Sequence, residues 1–212
     1  KNMPETNNEV KLTEDLLRDY SGAKTEWAKQ AAEDSEFRAG VQWTKTQVET
    51  LKSRNQAPVV VNVIHSAVEQ AKALLTTNKP RFQATGREDS DVKTGRVLSD
   101  LTEYIWDISN GNTVLKQTID DYYVKGMGCI MAYPDMNGDF GKGEVCLKSV
   151  DPMDVYIDPS SRDPFCQDAN HIIIAKKTMQ SQLLLKYPDY EEQIKKADQT
   201  SVLSNYPTSR DN

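Results

Sequence analysis

Apolar residues recur at helical spacing through the first half of the chain and alternate, or run together, through part of the second. Leu16, Leu17, Tyr20, Ala23, Trp27 and Ala31 fall on one side of a helix. Thr13 with Glu14 and Asp15 suits its start, because carboxylates favour the positive end of the helix dipole. This helix is expected to end near Gly40. A shorter one is expected over 44–54. Asn62 can cap the next, whose stripe is Ile64, Ala67, Val68, Ala71, Leu74 and Leu75, and Pro80 stops it after "TTNK". "RFQAT" reads as a short strand. A long helix follows, about Asp89 to Ser109, facing inward with Val97 or Leu98, Leu101, Ile105 and Ile108, with Trp106 flanking. Gly111 is expected to close it. The next helix starts near Thr113, carries Leu115, Ile119, Tyr122 and Tyr123, and ends at Gly126 to Gly128.

From there the period changes. "CIMAYPD" and "GEVCLKSV" are strand-like runs joined by the turn-rich "MNGDFGKG", a hairpin pattern. "DVYID" and "HIIIAKKT" add strands, and two short helices are expected over 181–187 and 189–197. Helices first and strands afterwards predict an α+β fold. The expected organisation is a polar, mobile arm over 1–11, an α+β region over 12–197 and an irregular tail over 198–212.

Composition sharpens this picture. Of 212 residues, 37% are hydrophobic and 27% charged, so the core is modest and much surface is solvated or awaits a partner. Lys and Arg number 26 against 32 Asp and Glu, a net −6 with no basic run longer than a pair. Tight gripping of phosphates by counterion release needs clustered cations, so it is not expected. A duplex that passes without sticking is compatible with like charge. Cys129, Cys146 and Cys166 are sparse and odd in number, which argues for reduced thiols. No apolar run approaches the roughly 20 residues a membrane helix needs. No signal-peptide pattern opens the chain, and Lys1 in place of Met is expected of a trimmed or incomplete N-terminus.

Candidate chemistry lies in two acidic stretches. Asp135, Asn137 and Asp139 imitate the start of a calcium loop, but its sixth and twelfth positions hold Phe140 and Cys146 in place of Gly and Glu. The second stretch, "SVDPMDVYIDPSSRDP", has the pairs Asp151-Pro152, Asp158-Pro159 and Asp163-Pro164, with Asp154 between. One reading is a metal-dependent nuclease using Asp151, Asp154 and Asp158. The other is backbone chemistry: proline fixes φ after each Asp, and Asp at a corner bonds its own downstream backbone. His65 and His171 stand in no pattern of nucleophilic catalysis, and Gly126 and Gly128 end a helix, the reverse of a phosphate loop. No catalytic, cofactor-binding or metal-binding residue is assigned, and no cofactor is expected.

The order of these features resembles the portal proteins of tailed bacteriophages, of the podophage type. The resemblance covers about residues 41–178. Its residues are Asn62 opening a helix, Asn78 and Pro80 in "NKP", Gly126 and Gly128 before the hairpin, and "VDPMDVYIDP" with Asp151, Pro152, Tyr156, Asp158 and Pro159. The resemblance implies a non-enzymatic subunit of a dodecameric ring at one capsid vertex of the virion, assembled in the host cytoplasm. Double-stranded DNA would be packaged and ejected through it without sequence-specific binding. The implied partners are other copies of the chain, terminase, capsid protein and tail or adaptor proteins, with no membrane. It also implies longer subunits, whose stem and clip follow a wing region like this one, so the chain is expected to correspond to the wing. Another head–tail adaptor protein of the virion is the alternative.

Overall fold

The structure, a computed structural model, describes residues 4–196 apart from 79, 87, 89, 90 and 177. The expected start of the long helix at Asp89, the expected end of the last short helix at Ala197 and the tail over 198–212 lie outside the described residues. Five helices come first: α1 (Pro4–Ala39), α2 (Lys45–Ser53), α3 (Val63–Thr76), α4 (Val92–Ile108) and α5 (Gly111–Lys125). The hairpin of β1 (Cys129–Asp135) and β2 (Glu144–Val150) follows, then β3 (Val155–Ile157), β4 (Ile172–Ile174) and short helices at Gln180–Lys186 and Glu191–Lys196. The fold is α+β. Among the described residues no helix is long and apolar enough to cross a membrane. Helix α1 is already helical at Pro4, ahead of the start suggested by Thr13. Proline suits the first helical turn, where its missing N–H has no partner to lose.

The chain divides into two compact units. One runs Asp34–Pro152. In it, α2 starts with reciprocal capping: the Gln47 N–H donates to Thr44 Oγ1 (3.3 Å) and the Thr44 N–H to Gln47 Oε1 (2.8 Å). Asn62 caps α3 as its position suggests, Oδ1 accepting from the His65 N–H at 2.9 Å. Helix α5 packs on α3 and β2, and α4 on β2 and α5. The hairpin is antiparallel in the register Cys129↔Val150 to Asp135↔Glu144. Cys129 and Cys146 thus sit on paired strands, half-buried and not opposite one another.

Three expectations fail in this unit. "RFQAT" forms no strand. It runs extended beside α4, where the Ala84 N–H donates to Ser99 Oγ at 2.9 Å and a Cβ on Gly95 would come within 3.0 Å of the Ala84 carbonyl oxygen. A side chain has replaced the ladder. Second, Gly111 does not close α4. Asn110 takes the left-handed turn (φ 51°) and Gly111 opens α5, because the Trp106 indole lies where its Cβ would be. Third, the expected face of α4 is buried only in part. Gly95 and Trp106 are buried, Ile105 and Ile108 half-buried, and the expected core residues Val97, Leu98 and Leu101 exposed. Gly95 and Ser99 face the extended segment, which approaches too closely for larger side chains there.

The other unit takes in the chain up to Glu33 and from Met153 onward. Tyr20 of α1 and Tyr156 of β3 form its buried centre, with Leu16, Leu17, Ile173 and Ala175 against them. Strands β3 and β4 are antiparallel, Tyr156 opposite Ile173.

The indole's fit fixes one outcome. A Cβ on Gly111 would sit 2.2–2.7 Å from Trp106 ring atoms, so Gly111→Ala forces that ring to move. Overpacking of this kind costs about 1–3 kcal/mol, to be read as a lowered urea midpoint with an unchanged slope.

Candidate functional site

The acidic segment begins where the chain turns out of β2. Asp151 pairs with Lys125 (2.8 Å), which also holds Asp121 (2.9 Å) one helical turn earlier on α5. Burial opposes the charged form of Lys125, but bonds to Asp151 and Asp121 more than offset it and its pKa is raised. Burial in turn raises the pKa of Asp121 against the pull of Lys125. Two glycines make this corner fit. Gly126 closes α5 at φ 77°, and a Cβ on Gly128 would lie 2.6 Å from the Thr118 carbonyl oxygen. These glycines shape a helix-to-strand turn in which backbone meets backbone.

Beyond the corner, Pro152, Met153, Asp154, Val155, Tyr156 and Asp158 are all buried, whereas Pro159 is exposed. Asp158 accepts four hydrogen bonds: the Ser160 N–H (2.9 Å) and hydroxyl (2.7 Å) on Oδ1, and the Asn170 N–H (3.1 Å) and side-chain amide (2.8 Å) on Oδ2. Those of Ser160, then those of Asn170, hold its carboxyl far below the usual carboxylate range. Farther along, Asp163 accepts from the N–H groups of Phe165 (3.2 Å) and Gln167 (3.1 Å). Asp168 accepts from the Arg162 N–H (2.8 Å) and the Ser161 hydroxyl (2.6 Å), which lower its pKa in that order. Aspartate side chains therefore stand in for the strand partners that loop 158–170 lacks. Among the described residues no three His, Cys, Asp or Glu side chains gather as a group that could hold a metal ion. In the hairpin loop, Asp135 accepts from the Asn137 N–H (3.1 Å) and Asp139 pairs with Lys142 (3.0 Å).

Sequence reasoning missed the residue that holds the acidic segment. Lys24 of α1 donates from Nζ to the carbonyl oxygens of Met153 (2.8 Å) and Val155 (2.6 Å). The same ammonium lies 4.3 Å from the Tyr156 ring centre and 5.0 Å from that of Trp27, within cation–π range. The signal was present: Lys24 falls on the stripe of Tyr20, Trp27 and Ala31, where a cation is unexpected unless something waits for it.

A second polar cluster, equally unforeseen, lies in the other unit. Arg38 bonds Glu69 (2.5 Å) and Asp120 (3.1 Å), Lys72 bonds the same two carboxylates (2.6 and 3.0 Å), and His65 Nδ1 meets Arg38 Nη1. The Lys72 bond to Glu69 comes first in lowering the Glu69 pKa and in raising its own. Asn62 joins the cluster through its amide, which donates to the Arg38 carbonyl oxygen at 3.1 Å. Of the "NKP" residues, Asn78 lies exposed in the bend after α3, and half-buried Pro80 leads into the extended segment.

None of these groups is arranged as a nucleophile with its base. Both clusters join segments distant in sequence, as a scaffold requires. A comparison with protein families gives the class: the family of phage P22-like portal proteins matches residues 14–210. The chain belongs to that family, and the match is wider at both ends than the stretch over 41–178 that carries the resemblance. No curated protein matches the chain.

Three outcomes follow from this geometry. Asparagine at 158 would turn an amide toward donors on one side, so Asp158→Asn lowers the melting temperature at neutral pH. Because the Asp158 and Asp168 pKa values are lowered in the fold, their stabilisation is present above about pH 4. It is lost as pH falls from there toward the folded values. The fall in melting temperature below about pH 4 should therefore be shallower in Asp158→Asn than in the unaltered chain. Lys24→Met keeps the stem of the side chain but leaves two carbonyl oxygens unanswered, and should cost about 2 kcal/mol in urea denaturation.

Proposed function

We propose that the chain is a subunit of the portal ring at one capsid vertex of a phage virion, built from twelve copies. Double-stranded DNA passes in during packaging and out during ejection. Terminase docks on the ring first and tail or adaptor proteins later, with capsid protein around it. Assembly takes place in the host cytoplasm. The observation that carries this reading is the family match over residues 14–210.

Other features support it. A net charge of −6 with no long basic run suits a wall past which a polyanion slides. The carboxylates at Asp158, Asp163 and Asp168 organise backbone, which is work for a structural part. On this reading Asn62, Gly126, Gly128 and the Asp-Pro corners set directions of the chain in the wing of the subunit. The chain itself does no covalent chemistry and needs no cofactor.

The test is the symmetry of the full-length protein. Negative-stain images should show closed rings with a central channel, and mass photometry should show one dominant species near twelve subunits. Monomers alone, at concentrations where portal assembly is expected, would overturn the reading.

A further inference from the structure

The extended segment beside α4 uses one of its two edges and leaves the other open. Ala84 turns both main-chain groups to α4. Its N–H donates to Ser99 Oγ at 2.9 Å, and the Ser99 hydroxyl lies 3.5 Å from its carbonyl oxygen. A Cβ on Gly95 would come within 3.2 Å of the Gly86 nitrogen, so Gly86 faces the same way. In an extended chain the N–H and C=O of one residue point to one side, and those of its neighbours to the other. The main-chain groups of Arg81, Gln83 and Thr85 therefore face away from α4. None of them bonds to another described residue, and all three residues are exposed.

The same segment and α4 bound a cavity of about 650 Å³, lined on the helix by Val92, Arg96, Asp100, Glu103 and Trp106 among others. From Val92 to Trp106 the helix rises about 21 Å, at 1.5 Å per residue. That is the length of about six extended residues. The donors in this wall are poorly answered. Arg81 and Arg96 make no ion pair with a described residue, and Trp106 Nε1 is buried without an acceptor. Asp91, at the start of α4, makes no side-chain capping bond. Asp100 and Glu103 are the acids of the same wall.

We propose that Arg81–Thr85 is a docking edge for an extended peptide of another protein, which pairs with it as a β-strand and turns a carboxylate toward Arg81 and Arg96. The open groups specify the occupant. Main-chain donors and acceptors at every second residue are matched at that spacing by another extended main chain, and neither a helix nor a small ion presents them. The two unpaired guanidinium groups and the uncapped first turn of α4 add a preference for negative charge on that strand. The proposal concerns the surface of one subunit and does not depend on the ring reading.

The test is amide hydrogen exchange of the unaltered protein, resolved by residue in NMR spectra. The probe is a capped hexapeptide that alternates glutamate with valine. The proposal expects exchange at Arg81, Gln83 and Thr85 to slow at least tenfold at millimolar probe, with Phe82 and Ala84 unchanged. The same peptide with proline in place of each valine keeps its charge but cannot pair, and should protect nothing. Arg96→Gln, at an exposed site, should raise the dissociation constant of the probe about tenfold, the loss of one charge-assisted hydrogen bond. No protection by the probe, or protection spread evenly over 81–85, would overturn the proposal. Equal protection by the proline peptide would overturn it too, as would the same effect from inorganic phosphate alone, which would make this a site for a free anion. Protection of the three amides without any probe, together with a doubled mass, would assign the edge to a second copy of the chain and overturn it as well.

Discussion

A carboxylate has about four lone-pair positions, and Asp158 has a donor on each. That arrangement decides how the acidic segment is understood. Its oxygens are turned to Ser160 and Asn170, two residues that bracket an irregular loop, and the bonds fix both ends of that loop to the end of β3. The short strands β3 and β4 make few ladder bonds of their own. Side-chain acceptors supply what the backbone cannot, and Lys24 donates to the carbonyl oxygens on the other side of the same segment. Acid and base are both in use, each on the main chain.

The same economy recurs in the unit Asp34–Pro152. Arg38 and Lys72 share Glu69 and Asp120, which spreads two cations over two anions across three helices. Such a cluster sets orientation more than it adds stability, since partly exposed ion pairs contribute little each. Orientation matters here, because the pairing draws the charged side of α3 toward α5 and leaves its apolar side outside.

Much of this was legible in the residues. Thr44 with Gln47, Asn62 at the head of α3, Gly126 at the tail of α5 and the two strand runs each follow local chemistry that needs no knowledge of the rest. The close approaches were not legible. Gly111 looked like a helix stop because nothing in the sequence says that an indole from Trp106 will occupy its side-chain space. "RFQAT" looked like a strand because its extended backbone is local, whereas its partner is the Ser99 hydroxyl. Lys24 was hidden by a stripe that was read as uniformly apolar.

The partly exposed face of α4 carries a wider point. Periodicity reports that one side of a helix avoids water, but it does not report whose atoms shield it. In a monomer the shield is the chain's own core, and the inference from stripe to core is sound. On α4 the contacts at home are made by Gly95 and Ser99 against Ala84 and by Trp106, whose ring centre lies 5.8 Å from that of Phe82. Val97, Leu98 and Leu101 lie outside those contacts and are exposed. The stripe therefore reports which residues avoid water, and the close approach of the "RFQAT" segment to Gly95 decides which side of α4 the chain itself shields.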